Sequence, residues 1–66
     1  MAVQSLFKVV AVFPFRSSFT DDLEFDPGQA IDVLTQYEDG WFFGTYVDAD
    51  GITKQGSFPS TFTKAE

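Results

Sequence analysis

Sixty-six residues with a formal net charge of −6, 44% hydrophobic residues, no cysteine and no histidine describe one small domain that must build its core without disulfides or thiolate metal ligands. Only four basic residues (Lys8, Arg16, Lys54 and Lys64) oppose ten carboxylates, too few and too scattered to neutralise a phosphate backbone, so nucleic acid and anionic membranes are poor partners. No apolar run approaches the ~20 residues of a membrane-spanning helix, so no membrane insertion is expected, and the missing cysteines fit a reducing, cytoplasmic setting.

The hydrophobic period is two almost everywhere, which predicts strands rather than helices. Leu6 to Phe13 is a strand, with Phe7, Val9, Ala11 and Phe13 alternating against Lys8, Val10 and Val12. Residues 14–22 are polar and short-chained apart from Phe15 and Phe19, a long loop of the kind that carries function. Leu23 and Phe25 alternate with Glu24 and Asp26 as a short half-buried strand. Asp26-Pro27-Gly28-Gln29 then fits a type II turn, proline setting φ at the second position and glycine supplying positive φ at the third. Ile31 to Thr35 alternates around Asp32, Gln36 to Gly40 is a polar loop, and Trp41 to Val47 has the aromatic and β-branched density of a strand. Asp50-Gly51 signals a hairpin before a returning strand from Ile52 to Phe58. After Pro59, Ser60-Thr61-Phe62 is too short for an α-helix and suits one 3₁₀ turn, and Thr63 to Ala65 adds a last short strand.

About five short strands and one 3₁₀ turn predict an all-β fold, a small, strongly bent antiparallel barrel. A flat sheet of this length would leave one apolar face wet. The expected inward set is Val9, Ala11, Leu23, Phe25, Ile31, Val33, Gly44 and Phe58. Gly44 interrupts an aromatic strand, where its missing side chain makes room for Phe25 and Phe58. Residues 1–66 are expected to form a single monomeric domain, folded over about 6–65 and belonging to a longer multidomain protein.

Nine phenylalanines, two tyrosines and one tryptophan are more rings than so small a core can hide, and acidic residues lie between them. An aromatic surface beside negative charge suits a ligand that is apolar or proline-rich and carries a cation. Ala11-Val12-Phe13-Pro14-Phe15 resembles the Ala-Leu-Tyr-Asp-Tyr signature of SH3 domains, with phenylalanine for both tyrosines. Asp21-Asp22-Leu23-Glu24-Phe25 resembles the acidic end of their RT loop, and Asp26-Pro27-Gly28-Gln29 their diverging turn. Asp39-Gly40-Trp41-Phe42 is similar to the segment with the family's binding tryptophan, and Gly56-Ser57-Phe58-Pro59-Ser60-Thr61-Phe62 to Gly-Tyr-Ile-Pro-Ser-Asn-Tyr. These matches run in order from residue 7 to 64 and imply a five-stranded SH3-like barrel.

The resemblance further implies a protein–protein interaction module for polyproline II peptides of the PxxP type with a Lys or Arg flank. Phe13, Phe15, Trp41, Pro59 and Phe62 fall where the family builds its proline-accepting grooves. Asp22 falls on the position that pairs with the basic flank, with Asp21, Glu24, Glu38 and Asp39 as neighbours. Ser57 and Thr61 on the groove rim depart from the family pattern, which has a bulky residue and an asparagine there. The three phenylalanines also lose tyrosine hydroxyls, each a hydrogen bond worth about 0.5–1.5 kcal/mol. A narrower resemblance, in Phe7-Lys8-Val9-Val10-Ala11, Phe13-Pro14-Phe15 and Phe43-Gly44-Thr45-Tyr46, is to the N-terminal SH3 domain of a fungal cortical-actin adaptor. It implies a place in the endocytic actin machinery, at cortical actin patches, with type I myosin or verprolin-like actin regulators as partners.

Other uses of the same residues are weaker. Asp48-Ala49-Asp50-Gly51 hints at a calcium loop, but no glutamate follows at the needed spacing and the aspartates serve a turn better. With neither histidine nor thiol, and no deep pocket expected around Asp21 and Asp22, no catalysis, metal or cofactor is expected. Two further alternatives are an aromatic-cage reader of methylated lysine, which needs three rings converging on one point, and a structural domain docking within its parent chain, which needs those rings covered.

Overall fold

The computed structural model describes residues 5–66. Its alternating segments form β1 (Phe7–Ala11), β2 (Ala30–Gln36), β3 (Trp41–Val47), β4 (Thr53–Pro59) and β5 (Thr63–Ala65), with a 3₁₀ turn at Ser60–Phe62. All strand pairs are antiparallel, and the sheet order is β4-β3-β2-β1-β5. Strands β4 and β5 therefore lie at opposite edges of the order, yet only the three residues of the 3₁₀ turn join them. The sheet must roll until those edges meet, which makes the expected barrel. A bulge between Val33 and Thr35, where β2 pairs with β3, adds local bend and twist.

The strand from Trp41, the 3₁₀ turn and the last strand stand where the sequence places them. Strand β1 stops at Ala11 instead of Phe13, because the Val12 and Phe13 N–H groups turn away to donate to Phe62 O at 2.8 and 3.4 Å. Leu23–Phe25 is not a strand: the chain there makes only isolated bridges, Phe15 with Phe25 and Asp22 with Ser57. Its alternation is real, since Leu23 and Phe25 are buried, but no neighbour runs alongside long enough to form a ladder.

Gly28 takes φ +92°, and the Gln29 N–H donates to Asp26 O at 3.3 Å, as the type II turn requires. The β3–β4 hairpin closes through the Asp48 N–H to Ile52 O at 2.9 Å, so its loop is the three residues Ala49, Asp50 and Gly51, with Gly51 at φ +81°. The Asp48 carboxylate accepts from the Asp50 and Ile52 N–H groups, both at 2.9 Å, so it caps the turn. The β2–β3 loop repeats this plan, with Tyr37 and Trp41 as the closing pair (2.9 Å) and Gly40 at φ +89°.

The core is Val9, Ala11, Phe15, Leu23, Phe25, Ile31, Val33 and Phe58, and Gly44 is buried beside it. All eight residues expected inward are there. Phe15, expected as a groove ring, joins them at 9% exposure. A Cβ on Gly44 would lie 2.8 Å from Asp32 O, 2.9 Å from the Ile31 side chain and 3.0 Å from Phe58. The glycine thus makes room for Phe58, as expected, and also for Ile31. Gly56 plays a matching part on β4: its Cβ would lie 2.7 Å from backbone atoms of Asp21, Asp22 and Leu23. The absent side chain lets the long loop after β1 lie on β4, where Leu23 N–H donates to Ser57 O (2.8 Å) and Ser57 N–H to Asp21 O (3.1 Å).

Candidate functional site

Four of the five predicted groove residues are rings, and they touch in sequence. The Phe13 and Phe62 centroids are 6.1 Å apart, Phe62 and Phe15 5.5 Å, and Phe15 and Trp41 6.0 Å, each pair edge-to-face. Such pairs contribute about 0.5–1.5 kcal/mol beyond the area they bury, so the row is stiff before any ligand arrives. Different elements supply it. Phe13 and Phe15 come from the start of the long loop, Phe62 from the 3₁₀ turn and Trp41 from the first position of β3. Pro59, the last residue of β4, is the cross-strand partner of Trp41. Ser60 N–H donates to Gly40 O at 3.0 Å and ties the 3₁₀ turn to the tryptophan's loop.

The members of the row differ in depth. Phe13 is 58% exposed, Trp41, Pro59 and Phe62 are half-buried, and Phe15 is buried beneath them. Phe15 therefore acts as the floor on which Phe62 and Trp41 lean, and packs below on Phe25 at 5.8 Å. A methyl-lysine cage needs three rings converging on one point, whereas these rings touch pairwise from Phe13 through Phe62 and Phe15 to Trp41. The surface is an extended ridged row.

Strand alternation places Ser57 on the same face of β4 as Pro59, and Thr61 is exposed on the 3₁₀ turn. The same alternation puts Phe43 on the Trp41 face of β3, directly opposite Ser57. Phe43 is half-buried and was not among the predicted site residues. Its signal was available: it is two positions on from Trp41 in a strand, hence on the same face. Phe19, at the tip of the loop, is 72% exposed, so it does not cap the loop.

The charges are sorted in a way the sequence did not reveal. Arg16 pairs with Asp26 and also donates to Phe15 O and Phe25 O at 3.0 and 2.7 Å. The hydrogen bond to Asp26, then its charge, raise the Arg16 pKa. Lys8 faces Asp32 and Lys54 faces Asp48, each at 3.9 Å. Among the described residues, every ion pair uses a carboxylate outside the predicted flank-reading set. Asp21, Asp22, Glu24, Glu38 and Asp39 pair with no lysine or arginine. Three of the five accept uncharged donors: Asp22 from Ser17 Oγ (2.6 Å), Glu24 from Ser17 N–H (2.9 Å) and Asp39 from Trp41 N–H (3.1 Å).

A polar depression of about 770 Å³ opens between the long loop and the β3–β4 hairpin. It shares Asp22 and Glu24 with the candidate site but none of the row's exposed rings. There Tyr46 donates its hydroxyl to Glu24 O at 2.6 Å, and burial, with Asp48 and Asp26 adding to it, pushes its phenol above the usual value. Among the described residues, no group of three Asp or Glu side chains is placed to hold a metal ion, and no helix is long and apolar enough to cross a membrane.

A family model described as the SH3 domain matches residues 10–60. An SH3 domain-containing protein of Schizosaccharomyces pombe is 61% identical over 57 residues, covering 86% of this chain and 4% of that protein. The septation protein imp2 of the same yeast is 36% identical over 56 residues, covering 85% of this chain and 8% of its own. The chain thus spans less than a tenth of the length of these relatives. Among solved structures, it is similar to the C-terminal SH3 domain of myosin IB from Entamoeba histolytica bound to an EhFP10(GEF) peptide. The TM-score there is 0.73 at 26% identity, covering 100% of this chain and 98% of that one.

This chain belongs to the SH3 domain family. That family is one of protein–protein interaction modules and is not an enzymatic one.

Proposed function

We propose that this SH3 domain binds proline-rich segments in the polyproline II conformation, of the PxxP type, through Phe13, Phe15, Trp41, Pro59 and Phe62, with a Lys or Arg flank facing Asp22. The observation that carries this reading is the unbroken ring row from Phe13 through Phe62 and Phe15 to Trp41. A polyproline helix is already ordered, so it loses little entropy on docking, and its ridges fit between edge-to-face rings. Charge supports the basic flank: among the described residues, Asp21, Asp22, Glu24, Glu38 and Asp39 pair with no lysine or arginine, whereas Asp26, Asp32 and Asp48 each do. Asp21, Glu24, Glu38 and Asp39 act beside Asp22 by adding field. Ser57 and Thr61 offer the rim little bulk, which leaves packing and Trp41 to carry affinity.

In its parent protein the domain serves as an adaptor arm of the cortical actin machinery, with type I myosins or verprolin-like regulators as the partner class. The septation relative and the myosin neighbour support that setting. Calorimetry with matched PxxP peptides tests the reading. A peptide with an Arg or Lys flank should bind at least threefold more tightly than the same peptide with a neutral flank. Binding that ignores both the prolines and the flank sinks it.

A further inference from the structure

The backbone around Asp22 is fixed from outside the loop. Asp21 O and Leu23 N–H are both bonded to Ser57, and the Asp22 N–H donates to Phe19 O at 3.3 Å. What remains free is the Asp22 side chain, and Ser17 holds that. The Ser17 N–H donates to Glu24 Oε2 at 2.9 Å, its Oγ lies 2.6 Å from Asp22 Oδ2, and the same Oγ accepts from the Phe19 N–H at 3.1 Å. A hydroxyl has one proton to give, and the Phe19 amide can only donate. The Ser17 proton is therefore committed to Asp22, at a length ordinary for a hydroxyl bonded to a carboxylate. Among the described hydrogen bonds only Oδ2 of Asp22 is used, so Oδ1 stays open to a ligand cation.

We propose that Ser17 is a positioning residue for specificity: it orients the Asp22 carboxylate toward the ligand's basic flank without itself reaching the ligand. This rests on the PxxP reading with a basic flank. Without the serine proton the carboxylate can rotate, and its mean distance to a bound Lys or Arg grows. The loss then falls on the flank alone, because the ring row owes nothing to Ser17.

The experiment is calorimetry on wild type, Ser17→Ala, Ser17→Thr and Asp22→Asn, plus the double variant. Two PxxP peptides are used, identical except for Arg or norleucine at the flank. Ser17→Ala should cut the preference for the Arg peptide roughly two- to threefold, a share of the up to about fivefold that an exposed ion pair supplies, and leave the norleucine peptide within about 1.5-fold of wild type. Ser17→Thr, which keeps the hydroxyl, should restore most of the preference. In the Asp22→Asn background the serine change should be silent. Should Ser17→Ala fail to fold, Ser17→Cys keeps the volume with a weak donor and should show the same selective loss. An unchanged preference, or equal weakening of both peptides, overturns the proposal. Wild type that binds both peptides equally overturns the underlying reading instead, and the proposal with it.

Discussion

Gly56→Ala is a one-methyl change whose consequences the structure specifies. The added Cβ would stand 2.7 Å from Asp21 O, Asp22 C and Leu23 N, all backbone atoms of the loop that lies on β4. Backbone cannot swing aside as a long side chain can, so the loop must lift. Gly56 is not among the positive-φ glycines, so the cost is contact and not conformation. Overpacking of this kind costs ~1–3 kcal/mol. Lifting the loop also breaks the Leu23 N–H to Ser57 O and Ser57 N–H to Asp21 O hydrogen bonds, each worth ~0.5–1.5 kcal/mol. The sum, ~2–6 kcal/mol, is a large part of the ~3–10 kcal/mol that a domain of 66 residues has to lose. Urea unfolding reads the stability, and calorimetry with a basic-flanked peptide reads the binding. Gly51→Ala is the control: nothing lies within 4 Å of its added methyl, so only its φ of +81° is penalised, by ~1–2 kcal/mol, and binding should hold. If Gly56→Ala costs less than ~1 kcal/mol and binds as wild type does, the loop is not seated on β4 as described.

Trp41→Ala should weaken peptide binding by at least ~2 kcal/mol, as interface hot spots do, while thermal unfolding shows the fold kept; a loss below about tenfold (~1.4 kcal/mol) removes Trp41 as the anchor. Affinity for an Arg-flanked peptide should fall as salt rises, because exposed charges are screened over ~8 Å at physiological ionic strength, and Asp22→Asn should flatten that dependence; a flat wild-type profile up to half-molar salt contradicts it. Tyr46, whose folded pKa is raised chiefly by burial, should contribute stability that is full below the unfolded value near 10 and is lost as pH rises through the raised folded value. Tyr46→Phe should cost ~0.5–1.5 kcal/mol at neutral pH by deleting the bond to Glu24 O, and should lessen the alkaline loss; identical alkaline unfolding in both proteins refutes the assignment.

What the sequence disclosed was whatever local pattern controls. Alternation marked Val9, Ala11, Ile31, Val33 and Phe58 as core, and Ser60-Thr61-Phe62 was too short for anything but a 3₁₀ turn. Leu23–Phe25 alternates as convincingly, but a strand also needs a paired neighbour, and here the backbone pairs with β4 through the single bridge of Asp22 with Ser57. Asp50-Gly51 announced a hairpin without fixing its length. A two-residue I′ loop needs positive φ at both central residues, and only Gly51 has it. Phe15 lies beneath the other rings because β1 ends early and the chain turns in to bridge Phe25, which no string of residues encodes by itself. The parts least visible were those made by tertiary approach: Gly56 beneath the loop, Ser17 on Asp22, and the pairing of three basic residues with carboxylates outside the predicted site.

The ring row as a peptide groove is tested most directly by an amide-resolved NMR titration with a basic-flanked PxxP peptide. Progressive, saturable shifts are expected along residues 13–15, at the Trp41 amide and indole, and through residues 57–62, with smaller ones at Asp21 and Asp22. Shifts confined to the β3–β4 hairpin at residues 48–52, or none at millimolar peptide, would contradict it.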